Sequence, residues 1–228
     1  MMKFIIVFSA VFIMTGGELQ ALPVSAAATV KNATISNTNR NGENRASDNS
    51  TTNSGISARG ATIKNSTIIN TNQGVYNTAA KDSKINSGIS ADGATITNSK
   101  LMQNANIQVN NLALNESRIN SGIEAEMAEL KEANITNINS QVNNIALSGS
   151  KINSGVILNG ANVKNSTIAN KNSNVNNTAI QDSQINSGID ATGAVIKNAK
   201  ISNDNTKVDN TATKKSTANS GIDLGGQE

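Results

Sequence analysis

The sequence predicts an all-β fold, a repetitive β-solenoid of the β-helix or β-roll kind. Three observations point there. Asn-Ser-Gly recurs at Asn53, Asn86, Asn120, Asn153, Asn186 and Asn219. The spacing is about 33 residues and lengthens by one only once, and a fixed period of this size marks a stacked array. Within each period, apolar and polar residues alternate over short runs, as in strands with one buried face. Asn and Gly crowd the intervals between those runs, and both accept the left-handed backbone that a sharp corner needs.

The elements follow in chain order. Lys3 precedes an apolar run from Phe4 to Met14, then Gly16-Gly17, Pro23 and the small residues Val24-Ser25-Ala26-Ala27. This is the pattern of a signal peptide cleaved after Ala26. The run is too short for a membrane span, which needs about 20 apolar residues. Domain organisation is therefore expected as a signal peptide over 1–26 and one solenoid domain of six tandem repeats over 27–228. Removing 1–26 takes away Phe4, Phe8, Phe12 and the one Pro and leaves Tyr76 as the single aromatic. The net charge stays at +3, because Lys3 and Glu18 leave together. A charge so small and so evenly spread gives no argument for nucleic acid.

Each repeat contains two copies of an apolar-x-x-small-x-apolar pattern. The first copy runs through Ile63 and Ile68, Ile96 and Leu101, Leu130 and Ile135, Val163 and Ile168, Ile196 and Ile201. The second runs through Ala79 and Ile85, then Ala113, Leu114 and Ile119, then Ala146, Leu147 and Ile152, then Ala179, Ile180 and Ile185. All of these are expected to point inward, with Lys64, Thr67 and Lys84 pointing out. The stretch Glu124–Asn134 looks helical in isolation, but in repeat register Ala128, Leu130, Ala133 and Ile135 fall on inward columns. It is expected as strand, with every charge outward. Asn44, Asn77, Asn111, Asn144, Asn177 and Asn210 share one column and are the candidate Asn ladder, a stack of amides hydrogen-bonded along the solenoid axis. The Asn86 column is a second candidate.

Coil size is read from charge. Lys31, Lys64, Lys131, Lys164 and Lys197 share an outward column. One coil per repeat would stack them about 4.8 Å apart, where like charges repel by close to 1 kcal/mol even in water. Two coils of roughly 16–17 residues per repeat would double the spacing, past a Debye length of about 8 Å. The expectation is two coils per repeat.

The runs Asn177-Thr178-Ala179-Ile180-x-x-Ser183 and Asn111-Leu112-Ala113-Leu114-x-x-Ser117 resemble the β-roll heads of trimeric autotransporter adhesins. The Gly those heads carry after Ile or Leu is Gln181 or Asn115 here. The Asn-rich, aromatic-poor strand units behind a signal peptide also resemble bacterial functional-amyloid subunits of the curli and Fap kind. Both resemblances imply a place outside the cell, secreted or at the cell surface.

Composition narrows the function classes. There is no His and no Cys, and no repeat changes length by more than one residue, which leaves no room for a grafted catalytic loop. No catalytic residue, cofactor site or metal site is expected, and the protein is expected not to be an enzyme. A glycan platform would want more than Tyr76, and an ice-binding rank of Thr29, Thr62 and Thr95 is broken by Asn162 and Val195. Residues 27–228 begin and end near one phase of the repeat, since the Gly60 column also holds Ala27 and Gly226. That phase, with uncapped strand edges, predicts self-association head to tail into extracellular fibres or matrix, with adhesion or biofilm as the role. A monomeric or trimeric surface adhesin is the alternative. Partners are expected to be the chain itself and a cell surface or extracellular matrix, with no transmembrane anchor after residue 26.

Overall fold

A computed structural model describes residues 10–11, 29–99 and 101–225. Apart from Ala10–Val11, the expected signal peptide lies outside the described residues. No described residue is helical, and all strand pairing is parallel. The strands form four sheets that run the length of the molecule, and every coil contributes to each of them, the long sheet taking two strands from each of the first three coils and one from each of the last three. In the fourth coil the strands are Glu129–Lys131, Asn134–Leu147, Lys151–Asn153 and Val156–Ile157. Six coils stack in this way, from Thr29–Lys31 to Ile222–Asp223. The fold is a six-turn β-solenoid.

The coil is the whole repeat. Asn134 pairs with Thr167 and Leu147 with Ile180, each one full repeat on. No described strand pairs with one half a repeat away. The expectation of two coils per repeat is therefore overturned. Lys31 does lie beside Lys64, and Lys131 beside Lys164 beside Lys197. The repulsion is real but too small to set the register. These lysines lie on the outer face, mostly exposed, and water screens them. The buried residues on the same strands, Ile63, Leu130 and Val163, are each fully enclosed, and burying such a side chain is worth roughly 1.5–3 kcal/mol.

The long sheet forms one wall. Its strand turns once in the middle, at a left-handed residue that is Gly74, Gln108, Gln141, Asn174 or Lys207 from the second coil to the sixth. A valine follows each time, and Val75, Val109, Val142 and Val175 stack into a small core of their own. The first half of the wall packs Ile68, Met102, Ile135 and Ile168 against the two sheets that hold Ile63 and Ile89. The second half packs Ala79, Ala113, Ala146 and Ala179 against Ile85, Ile119, Ile152 and Ile185. Ile196 and Ile201 sit on the same inward columns, half-buried, in the last coil.

Four inward assignments are corrected. Thr97 pairs with Lys64 at the common spacing, while Leu101 pairs with Thr67 at a spacing longer by one. The extra residue of the long repeat falls between them, so Met102 and not Leu101 takes the place of Ile68. Leu114, Leu147 and Ile180 point outward and are half-exposed. The reason is the corner that follows them. After Ile63 the chain turns at one left-handed residue, Asn65. After Ala80 it turns at two, Lys81 and Asp82, as it does at Asn115-Glu116 and Gln181-Asp182. The same sequence pattern thus crosses two different corners, and the second moves the inward position back by one, to the alanine.

Candidate functional site: the polar seam and the coil ends

A seam of amides and hydroxyls separates the two larger apolar cores. It begins with inward alternation. Counting by twos from Ile135 gives Asn137 and Asn139, and from Val142 gives Asn144, all buried. Each meets the same column in the next coil. Asn137 Nδ2 donates to Asn170 Oδ1 at 2.8 Å, Asn139 to Asn172 at 2.8 Å and Asn144 to Asn177 at 2.8 Å. These are three ladders, starting at Asn37, Asn39 and Asn44 and ending at Asn203, Asn205 and Asn210. The candidate column of Asn44, Asn77, Asn111, Asn144, Asn177 and Asn210 is thus one ladder of three in the seam. The two others are legible from strand parity alone, once buried Asn is allowed for.

Asn-Ser-Gly supplies the opposite side of the seam. The Ser154 carbonyl accepts from Asn137 at 2.6 Å and Asn139 at 2.7 Å, and its hydroxyl donates to Asn144 Oδ1 at 2.9 Å. The Asn137 and Asn139 amides each spend one N–H along the axis and one across their own coil, Asn144 spends its second on the Ser187 hydroxyl of the next coil, and few buried polar atoms are left unpaired. Asn153 forms a fourth ladder of opposite polarity, donating backward to Asn120 Oδ1 at 3.0 Å, as Asn86 does to Asn53 at 2.9 Å. Gly155 is required by space. A Cβ there would lie 2.1 Å from the Gly188 carbonyl oxygen, and its φ is not left-handed.

Polarity makes the two ends different. In the three seam ladders every Nδ2 points toward the C-terminal coil, so the first coil turns Oδ1 atoms outward. Asn39 Oδ1 is buried and accepts from no described residue. At the last coil, Asn203 and Asn205 each donate to the Ser220 carbonyl. Among the described residues no seventh coil receives their other N–H, nor the amide of Asn210. The Asn53 ladder is reversed, so it offers a donor at the first coil and an acceptor at the last. Three acceptors and one donor thus face three donors and one acceptor, column for column. The edge of the first coil also accepts a parallel strand, since Ala10–Val11 pairs with Ile35–Ser36.

The stretch Glu124–Asn134 is strand and turn, with Ala128, Leu130, Ala133 and Ile135 buried. One of its charges is not outward. Glu124 is 2% exposed and accepts from Arg118 Nη2 at 2.7 Å. Burial pushes its carboxyl above the ordinary range against the pull of Arg118. The Glu belongs to a column of Ser57, Ser90, Ile157 and Asp190, so this pair is particular to one coil. Among the described residues, no three His, Cys, Asp or Glu are grouped to hold a metal ion.

No family model and no curated protein matches this sequence. Among solved structures, the chain aligns with HetL, a pentapeptide repeat protein involved in heterocyst differentiation regulation from the cyanobacterium Nostoc sp. strain PCC 7120. The alignment has 10% identity over 80% of this chain and 86% of that one, with a TM-score of 0.12. A score that low carries no argument about either fold or function, and the architecture rests on this chain's own strand register.

Proposed function

We propose that this is a secreted structural subunit, not an enzyme, that stacks head to tail into extracellular fibres or matrix with a role in adhesion or biofilm. The carrying observation is the complementarity of the two ends. A first coil set against a last coil continues all four Asn ladders in their own polarity. Head-to-head contact would set acceptor against acceptor in the seam and leave buried amides unpaired, at about 1–3 kcal/mol each. The contact is heterologous and does not close, so it grows a filament. The resemblances to autotransporter heads and to curli or Fap subunits fit this reading through their shared place outside the cell. Removal of 1–26 as a signal peptide would vacate the edge that Ala10–Val11 occupies. All other described pairing lies within 29–225, so the solenoid keeps its contacts without that segment.

Gly221 gives the test. A Cβ on Gly155 or Gly188 strikes the next coil's glycine carbonyl at 2.1 Å, but on Gly221 it meets nothing nearer than Asn219 Oδ1 at 3.7 Å. Gly221→Ala should fold and melt like the parent, yet a docked first coil would bring the Gly55 carbonyl into that space. With residues 1–26 removed, the parent should form filaments with an axial repeat of about 4.7–4.8 Å, and Gly221→Ala should not. A parent that stays monomeric at high concentration with its strands formed would sink the reading and favour a monomeric surface adhesin. Filaments unaffected by Gly221→Ala would show that the ends are not the contact.

A further inference from the structure

Given head-to-tail stacking, on which this rests, we infer that one half of the end faces holds the joint, with Leu224 as its anchor on Ala58 of the next copy, and that the other half is left loose. Leu224 follows Asp223, which pairs with Asp190. It therefore shares a column with Ala58, Ala91, Ala125, Leu158 and Ala191. Leu158, the other leucine of this column, is fully enclosed between Ala125 and Ala191, which are buried too. Leu224 has Ala191 on one side and no further coil on the other, and it is 59% exposed. A first coil docked in register sets Ala58 there. The joint then rebuilds around Leu224 the Ala-Leu-Ala stack that already encloses Leu158.

The same half of the joint is apolar in its other columns. The last coil brings Ile196, Ile201 and Ile222, and the first brings Val30, Ile35 and Ile56 in the same three columns. Each column holds Ile, Leu, Val or Met in every coil, so the joint repeats the packing found within the chain. Ile222 is 44% exposed, whereas Ile189, one coil before it, is fully buried. Docking would enclose Ile222 in the same way. In the full chain Ala58 is buried and Ala10–Val11 lies on the edge at Ile35–Ser36, so this contact requires residues 1–26 to be removed.

The other half of the joint is underfilled. Val75, Val109, Val142 and Val175 stack on one another with Val208 against them, but at the joint Val208 meets Gly42, which precedes Glu43 as Val75 precedes Tyr76. Ile85, Ile119, Ile152 and Ile185 also stack, but at the joint Ala218 meets Thr52. A Cβ on Gly42 would meet nothing within 4 Å, and its φ is not left-handed, so neither space nor backbone demands a glycine there. Both columns lose side-chain volume at the joint, and their neighbours lose dispersion contacts with it. The seam ladders set the polarity of the contact, and the half around Leu224 gives its strength. The loose half makes the joint weaker than a coil interface within the chain, so fibres come apart at joints while the subunits stay folded.

The test uses the chain without residues 1–26 and measures, by sedimentation, the critical concentration for filament assembly. Leu224→Ala should raise it about tenfold or more, the loss expected for one leucine left unburied. Leu224→Asp should abolish filaments. Both variants should melt like the parent as monomers, because the position is exposed there and alanine already occupies this column in other coils. Gly42→Val with Ala218→Ile should fill the loose half and slow the dissociation of diluted filaments about tenfold or more. Assembly of either Leu224 variant at the parent's critical concentration would overturn the anchor. Dissociation of the filled variant at the parent's rate would overturn the loose half. A parent that forms no filaments sinks the head-to-tail reading itself, whereas indifferent variants beside a filamentous parent sink this inference alone.

Discussion

Asn139 shows why a chain so rich in Asn folds at all. Its amide joins Asn172 Oδ1, Asn106 Nδ2 and the Ser154 carbonyl, all buried. Other Asn residues do different work. Asn32, Asn65, Asn98, Asn165 and Asn198 form a corner column with φ near +50°, a backbone that Asn accepts more readily than other side chains. Composition alone cannot separate these uses, and strand parity can. The Asn44 column is legible because it recurs in all six repeats beside an alanine column. Asn70 and Asn72 escape that reading, although they fall on the inward side of Ile68, because a buried amide looks costly until its partner one coil away is seen. Asn139→Ala should leave one donor and one acceptor orphaned and cost about 2–4 kcal/mol. Asn143→Ala, on the outer face, should change stability by no more than about 0.5 kcal/mol. Urea unfolding of the two variants checks this, and equal stability would mean that the ladders contribute little.

At the scale of the element, Asn-Ser-Gly is legible as a period marker but not as a wall of the seam. Sequence alone suggests that its glycine supplies a left-handed corner. The left-handed glycines lie elsewhere, at Gly60, Gly74, Gly93, Gly149, Gly160, Gly193 and Gly225, while Gly55, Gly88, Gly122, Gly155 and Gly188 are held by the approach of the next coil's backbone. A repeated glycine in sequence has the same appearance in both cases, because the close approach involves a residue one coil away. The two corners that misplace Leu114, Leu147 and Ile180 are a similar limit. Whether one or two residues turn left-handed between apolar positions decides parity, and Lys81-Asp82 or Asn115-Glu116 gives no local sign of it. Substitution separates the two kinds of glycine. Gly155→Ala pushes backbone against backbone and should cost about 3 kcal/mol or more, at the upper end of overpacking. Gly193→Ala meets open space and carries only the left-handed strain, about 1–2 kcal/mol. Thermal melting should rank them in that order, and the reverse order would refute the close-approach account.

At the scale of the molecule, the solenoid is nearly one-dimensional, and each coil touches only its neighbours. The repeat period is plain in the sequence. Charge alone misjudges the coil that this period builds, because a surface repulsion of about 1 kcal/mol has to be weighed with the buried columns opposing it. Deletions measure which period the fold obeys. Removing residues 134–166 joins Ala133 to Thr167, which stands in the register position of Asn134. Every inward column, each Asn ladder and every corner then continues with one coil fewer. This variant should fold, with its strand content intact and its urea m-value lower by roughly one-sixth, in proportion to the surface lost. Removing only residues 134–150 takes out half a repeat, which would be one complete coil if each repeat held two. In the observed fold it deletes the long wall of a coil and attaches Ala133 to Lys151, on the other side of the seam. The amides of Asn104 and Asn106 lose their axial acceptors, Asn137 and Asn139, and the second-half core is opened between Ala113 and Ala179. The half-repeat variant should therefore lose its cooperative transition. If it melts like the whole-coil variant, the half repeat is the structural unit and the one-coil register is wrong.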